Sequence, residues 1–229
     1  MTLTDLLDDA SHEALAFADL LESLDPAQRR SPTPCAGWAI DDLAGHVAVV
    51  GFRVAEAYHR ARLRITTPPG DLTLANPDLP AAIRLAVAHL RAAFDQAPSR
   101  WPVIPAPFGD FSVAAALRTL VLEFGVHLDD FKIATGDLRS TFSPATVDAI
   151  FGFGELFLLR QAQPLESGPV TVRLNAPSKS MAITWTGQRW EQGPGADEHR
   201  VDGSDDAIAR VMLRRGPVDD LVGAAIRPL

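Results

Sequence analysis

The chain has 229 residues, 47% hydrophobic and 22% charged, enough for one large domain or two small ones with a real core. Its formal charge of −8 argues against nucleic acid and anionic membranes as partners. The basic clusters Arg60–Arg64 and Arg214–Arg215 are short and read as solvated helix faces.

The N-terminus, MTLTDLLDDASHEAL, carries acids early and no positive segment, so it is not a secretory signal. With no run of about 18 apolar residues to cross a membrane, a cytoplasmic location is expected. Leu7, Ala14, Ala18 and Leu21 recur at helical spacing and predict a first helix over Leu3 to Leu24. Asp25-Pro26 and Ser31-Pro32-Thr33-Pro34 end it. A second helix starts near Ile40 and fades near Ile65, its stripe being Leu43, Val47, Val50 and Val54. The proline-rich TTPPGDLTLANPDLP reads as a loop, and a third helix follows with Ile83, Val87, Leu90 and Phe94 on one face. RWPVIPAPFGDF reads as another connection. A fourth helix spans about Ser112 to Thr135, with Gly136 where a helix often ends. Ser143-Pro144 caps a fifth, reaching about Arg160.

Beyond the linker-like QPLESGP the period changes to two. Val170, Val172 and Leu174 alternate with polar residues, as do Met181, Ile183 and Trp185, and TGQR turns the chain into Trp190. Ser204-Asp205-Asp206 caps a helix carrying Ile208, Val211 and Met212, and residues 217–229 suggest a short last helix with Leu221 and Ile226 apolar. The expected fold class is therefore α+β: an all-helical part over residues 1–165 and a small α+β module over 166–229.

Two residues sit oddly in the fourth helix. Its apolar stripe is Val113, Leu117, Leu120, Phe124, Leu128 and Phe131; Glu123 and His127 flank it one turn apart, with Asp130 further round. Side chains at that spacing can aim at one point, as in metal sites built inside helix bundles. His46, beside the stripe of the second helix, would complete a His₂Glu set with an open position, the pattern of catalytic zinc. The ordinary alternative is a core histidine satisfied by a carbonyl and a surface Glu–His pair.

The segment TPCAGWAIDDLAGHVA resembles the N-terminal signature of the mycothiol-dependent maleylpyruvate isomerase family, within the DinB-like four-helix superfamily. Thr33, Pro34, Cys35, Gly37, Trp38, Asp42, Leu43 and His46 meet that signature, and Glu123, His127 and Asp130 meet a second one, E-x-x-x-H-x-x-D. The resemblance implies an up-down four-helix bundle with a C-terminal sterol-carrier-like module. It also implies a divalent metal, most often zinc, held by His46, Glu123 and His127, and mycothiol as the thiol co-substrate. The partners implied are a small electrophile and this low-molecular-weight thiol. The metal would lower the thiol's pKa, and the thiolate would drive cis–trans isomerisation or thiol transfer. An arginine of the C-terminal module serves the family's isomerase; Arg210, Arg214 and Arg215 are the candidates here. Ala39 stands where the family often has a capping Ser or Thr, and Ala36 where it often has Pro. Two rival readings are a non-enzymatic protein that keeps the metal as a structural plug, and a zinc-dependent hydrolase on the same scaffold.

Cys35 is the one cysteine, which excludes an internal disulfide; with no His or Lys beside it in sequence, it reads as a small packed residue. Trp38 reads as a loop anchor. Asp42 and Asp130 each admit two roles, orienting a histidine or serving as ordinary helix acids. His12, His59, His89 and His199 read as incidental.

Overall fold

The computed structural model describes residues 2–74, 78–95, 103–106, 109–166, 168–195, 197–218 and 222–223. The chain divides into two compact units, Met1–Phe142 and Ser143–Leu229.

The first unit is built on four helices: α1 (Leu3–Glu22), α2 (Ile40–Arg62), α3 (Leu79–Asp95) and α4 (Val113–Ala134). α1 starts at a reciprocal cap, in which the Thr2 hydroxyl accepts the Asp5 N–H at 3.1 Å and the Asp5 carboxylate accepts the Thr2 N–H at 2.6 Å. Its apolar stripe, including Leu7, Phe17 and Leu21, is buried. α2 packs most broadly on α3 and α1 on α4, with α1–α3 and α2–α4 contacts completing the ring. α1 and α2 touch only narrowly. In a simple up-down bundle every helix flanks its successor. Here the long segment between α1 and α2 carries the chain across the bundle instead. The close α2–α3 approach needs Gly51, where an added Cβ would lie 3.0 Å from that of Ala86.

Two elements of this unit escape a reading by periodicity. Within RWPVIPAPFGDF, β1 (Ile104–Ala106) and β2 (Gly109–Phe111) form an antiparallel hairpin rather than a plain connection. Prolines demote such a run and three residues show no alternation, so the pattern gives no warning.

In the second unit α5 (Pro144–Gln161) packs on α6 (Asp205–Met212) and against two strands of a four-stranded sheet. The strands are β3 (Val170–Asn175), β4 (Ser180–Trp185), β5 (Trp190–Gln192) and β6 (Glu198–Asp202), in the order β5-β4-β3-β6. β3–β4 and β4–β5 are antiparallel and β3–β6 is parallel. The edge strand β6, EHRVD, is too polar to announce itself. Trp185 and Trp190 are buried, and the Trp190 indole N–H donates to the Gln163 carbonyl at 2.6 Å. Ser204 caps α6 by accepting the Ala207 N–H.

By contacts, the division thus falls at 142/143, whereas the change of period suggested 165/166. Helical spacing identifies α5 as a helix but says nothing about its partner. Of the anticipated last helix, Leu221 and Ile226 lie outside the described residues. Among the described residues no helix is long and apolar enough to cross a membrane.

Candidate metal centre

The site begins with a tight turn ahead of α2. The Thr33 hydroxyl accepts the Cys35 N–H at 3.2 Å and donates to the Trp38 carbonyl at 3.0 Å. The Thr33 N–H donates to the same carbonyl at 2.9 Å, and the Trp38 N–H to the Cys35 carbonyl at 3.0 Å. Gly37 makes this turn at φ 82°, a left-handed conformation that favours glycine. Ala39 contributes no side-chain cap to α2. Asp42 compensates by accepting the Ala39 N–H at 2.9 Å, so of its two roles it takes that of a first-turn acid.

The turn and the two helices converge. His46 on α2 brings its Nε2 to 3.3 Å from Oε2 of Glu123 on α4. One turn on, His127 Nε2 lies 3.5 Å from the same oxygen. One donor atom from each of the three residues lies within 4.8 Å of the other two. The 3.3 and 3.5 Å separations equal a tetrahedral edge, about 3.4 Å for metal bonds near 2.05 Å. Two of the three donor separations thus match a zinc-sized ion, and the third lies within 4.8 Å. Among the described residues no fourth His, Cys or carboxylate joins this group. Three protein donors are the pattern of catalytic zinc sites, whereas structural sites have four.

His127 is held from behind. Its Nδ1–H donates to Oδ2 of Asp130 at 3.1 Å, and Asp130 is fully buried. This fixes the ring so that Nε2 faces Glu123, the need of a ligating histidine. Asp130 thus takes the orienting role. The Cys35 thiol donates to the same Oδ2 at 3.4 Å, with Sγ 4.0 Å from His127 Nδ1. Reading Cys35 as a small packed residue missed this placement, since His127 is 92 residues away in the chain. Its presence in the first motif was the available signal. Trp38 is more than a loop anchor: its ring centroid lies 5.0 Å from that of His46 and 6.3 Å from that of His127. His46 and Glu123 also line a cavity of about 190 Å³.

Arg210, Arg214 and Arg215 belong to the second unit. Arg210 pairs with Asp206 at 2.8 Å, and Arg214 turns the chain at the end of α6 with φ 58°.

The charges of the cluster set its response to pH. Burial raises the Glu123 carboxyl, but hydrogen bonds from His127 and His46 outweigh it and bring the pKa down from 4.5 to about 2. Burial lowers His127, but hydrogen bonds with Asp130, Cys35 and Glu123 outweigh it and push the imidazole from 6.5 up to about 11. In the metal-free protein the Glu123 contribution is present above pH 4.5 and is lost as pH falls toward 2. The His127 contribution is present below pH 6.5 and is lost as pH rises toward 11. The cluster therefore stabilises the metal-free fold most between these limits. A metal competes with the His127 proton, so zinc affinity is expected to rise with pH, by up to about tenfold per unit. Titrations between about pH 6 and 8 in buffers of different ionisation heat would read both affinity and proton release; a flat profile would contradict this charge assignment.

Asp130→Asn retains the shape but not the charge behind His127. Zinc affinity is expected to fall by about 10–100-fold, read by competition with a chromophoric chelator.

Residues 10–132 match the family described as "Mycothiol maleylpyruvate isomerase N-terminal domain", a span of more than half the chain that contains His46, Glu123 and His127. The crystal structure of the mycothiol-dependent maleylpyruvate isomerase is similar at 19% identity and TM-score 0.67, over 94% of this chain and 90% of that one. The crystal structure of a His-to-Ala mutant of the mycothiol-dependent maleylpyruvate isomerase is similar at 18% identity and TM-score 0.68, over the same shares. At such identities the likeness is one of fold. A search of curated protein sequences found no significant match.

Proposed function

Because this chain belongs to the mycothiol maleylpyruvate isomerase N-terminal domain family, we propose that it is a metal-dependent enzyme that uses mycothiol to act on a small electrophile. The observation that carries this reading is the convergence of His46, Glu123 and His127 on one point, with no fourth protein donor among the described residues. When bound there, zinc supplies a Lewis acid that lowers the pKa of a thiol at the open position.

The chain's own residues supply the rest. Asp130 holds the His127 Nδ1 proton and so keeps Nε2 turned toward Glu123. Cys35 shares the Asp130 oxygen from the side away from Glu123, which makes it a positioning residue rather than a nucleophile. Trp38 packs against both imidazoles and limits water on that side. The cavity beside His46 and Glu123 gives the electrophile a mostly apolar bed next to the reacting thiol.

Two reactions are open to such a site. In isomerisation the thiol sulfur bonds to one carbon of an activated double bond, the remaining single bond rotates, and the sulfur leaves. In transfer the carbon–sulfur bond persists and the thiol is consumed: its proton ends on the neighbouring carbon of an alkene, or on the oxygen released when an epoxide C–O bond opens. Zinc-loaded protein is expected to turn over at least one activated alkene or epoxide only when mycothiol is present. Constant free thiol during turnover marks isomerisation, and its loss marks transfer. Turnover that proceeds equally without thiol would overturn this reading in favour of the hydrolase.

A further inference from the structure

The cavity next to the metal-ligand candidates has a direction. α2 lines it with His46, Val50, Arg53 and Ala57, residues spaced to share one helix face, and α4 faces them with Leu120 and Glu123. Ile104 and Pro105 of β1 and Phe111 of β2 also line it. One end is thus the His46–Glu123 pair. Toward the other lies Arg53, two helical turns along α2 from His46, or about 10 Å. Between them the wall is apolar. Thr119 adds a hydroxyl, but its hydrogen is donated to the Ala115 carbonyl at 2.9 Å.

Arg53 is the one permanent cation among the described lining residues. Among the described residues its one ion pair is with Asp71, which does not line the cavity, at 4.0 Å, and that carboxylate is fully exposed. Such a contact contributes little and leaves the guanidinium fork open to a better acceptor. A volume of about 190 Å³ is smaller than the cavities that take drug-sized ligands.

We infer that this groove selects a small electrophile with an apolar body and a single carboxylate, received by Arg53 at the end away from the metal-ligand set. The inference deepens the proposed function and rests on it for which end reacts. One cation suits one anionic group. A second carboxylate would lie against apolar wall without a partner, which is costly.

Unreactive probes test the groove without thiol, so a failure of the thiol chemistry and a failure of this assignment are separate results. Hexanoate, its neutral amide hexanamide and the dianion adipate are titrated into the whole protein, metal-free and zinc-loaded, by calorimetry. Hexanoate is expected to bind about tenfold more tightly than hexanamide in both forms, the value of a charge-assisted hydrogen bond, and in the metal-free form more tightly than adipate. Arg53→Gln should remove the preference for the acid and Arg53→Lys should retain part of it, with circular dichroism confirming that both variants fold. An acid preference that survives in Arg53→Gln would overturn the assignment. So would hexanoate binding confined to the zinc-loaded form, since the carboxylate would then sit on the metal, or a stronger affinity of the metal-free form for adipate.

Discussion

Replacing His127 by alanine is expected to cut thiol-dependent turnover by about a thousandfold, equivalent to about 4 kcal/mol of transition-state stabilisation. His127 is central to the cluster in two ways. Its Nε2 is one of three donors around a shared point, and its Nδ1 anchors the ring to the buried Asp130. Removing it leaves two donors, too few for a catalytic zinc set, and leaves Asp130 buried without the imidazole it faces. Steady-state rates at fixed mycothiol and zinc would measure the loss. A variant within about tenfold of the parent would show that His127 serves the fold and not the reaction.

The second large effect concerns the scaffold. Phe17 of α1 is fully buried and meets Phe131 of α4 edge-on, with ring centroids 4.9 Å apart and planes at 61°. This pair joins α1 to the helix that carries Glu123, His127 and Asp130. Phe17→Ala removes the ring contact and leaves a cavity, which costs about 3–5 kcal/mol. At 2–4 °C per kcal/mol for a chain of this size, the transition temperature should fall by about 10 °C, read by scanning calorimetry. Below that transition zinc affinity should stay within a few-fold of the parent's, because Phe17 is not one of the donor residues. A shift under about 2 °C would mean that the α1–α4 contact is not a main support of the bundle.

How far the sequence foretold all this depends on the range over which each feature acts. The helices were legible because burial of one face imposes a period, as Leu117, Leu120, Phe124 and Phe131 show. The Glu123–His127 pair was legible for the same local reason: four residues make one turn. His46 could join them only through a second motif, since helical spacing cannot show which helix lies opposite. The ring order of the bundle was hidden in the same way, because long loops permit both neighbouring and diagonal helices. Cys35 shows the limit most clearly. With no His beside it in sequence it looked inert, yet folding brings its sulfur to Asp130 and close to His127. Nothing in the spacing of α2 singles out Arg53; only the cavity gives it a direction.

Zinc titration of the metal-free protein, with His46→Ala, Glu123→Ala and His127→Ala alongside, decides whether these three residues hold a metal. The parent is expected to bind one equivalent, with tight binding lost in each of the three variants and far-ultraviolet dichroism unchanged. No binding by the parent, or one equivalent bound undiminished by the variants, would contradict that assignment.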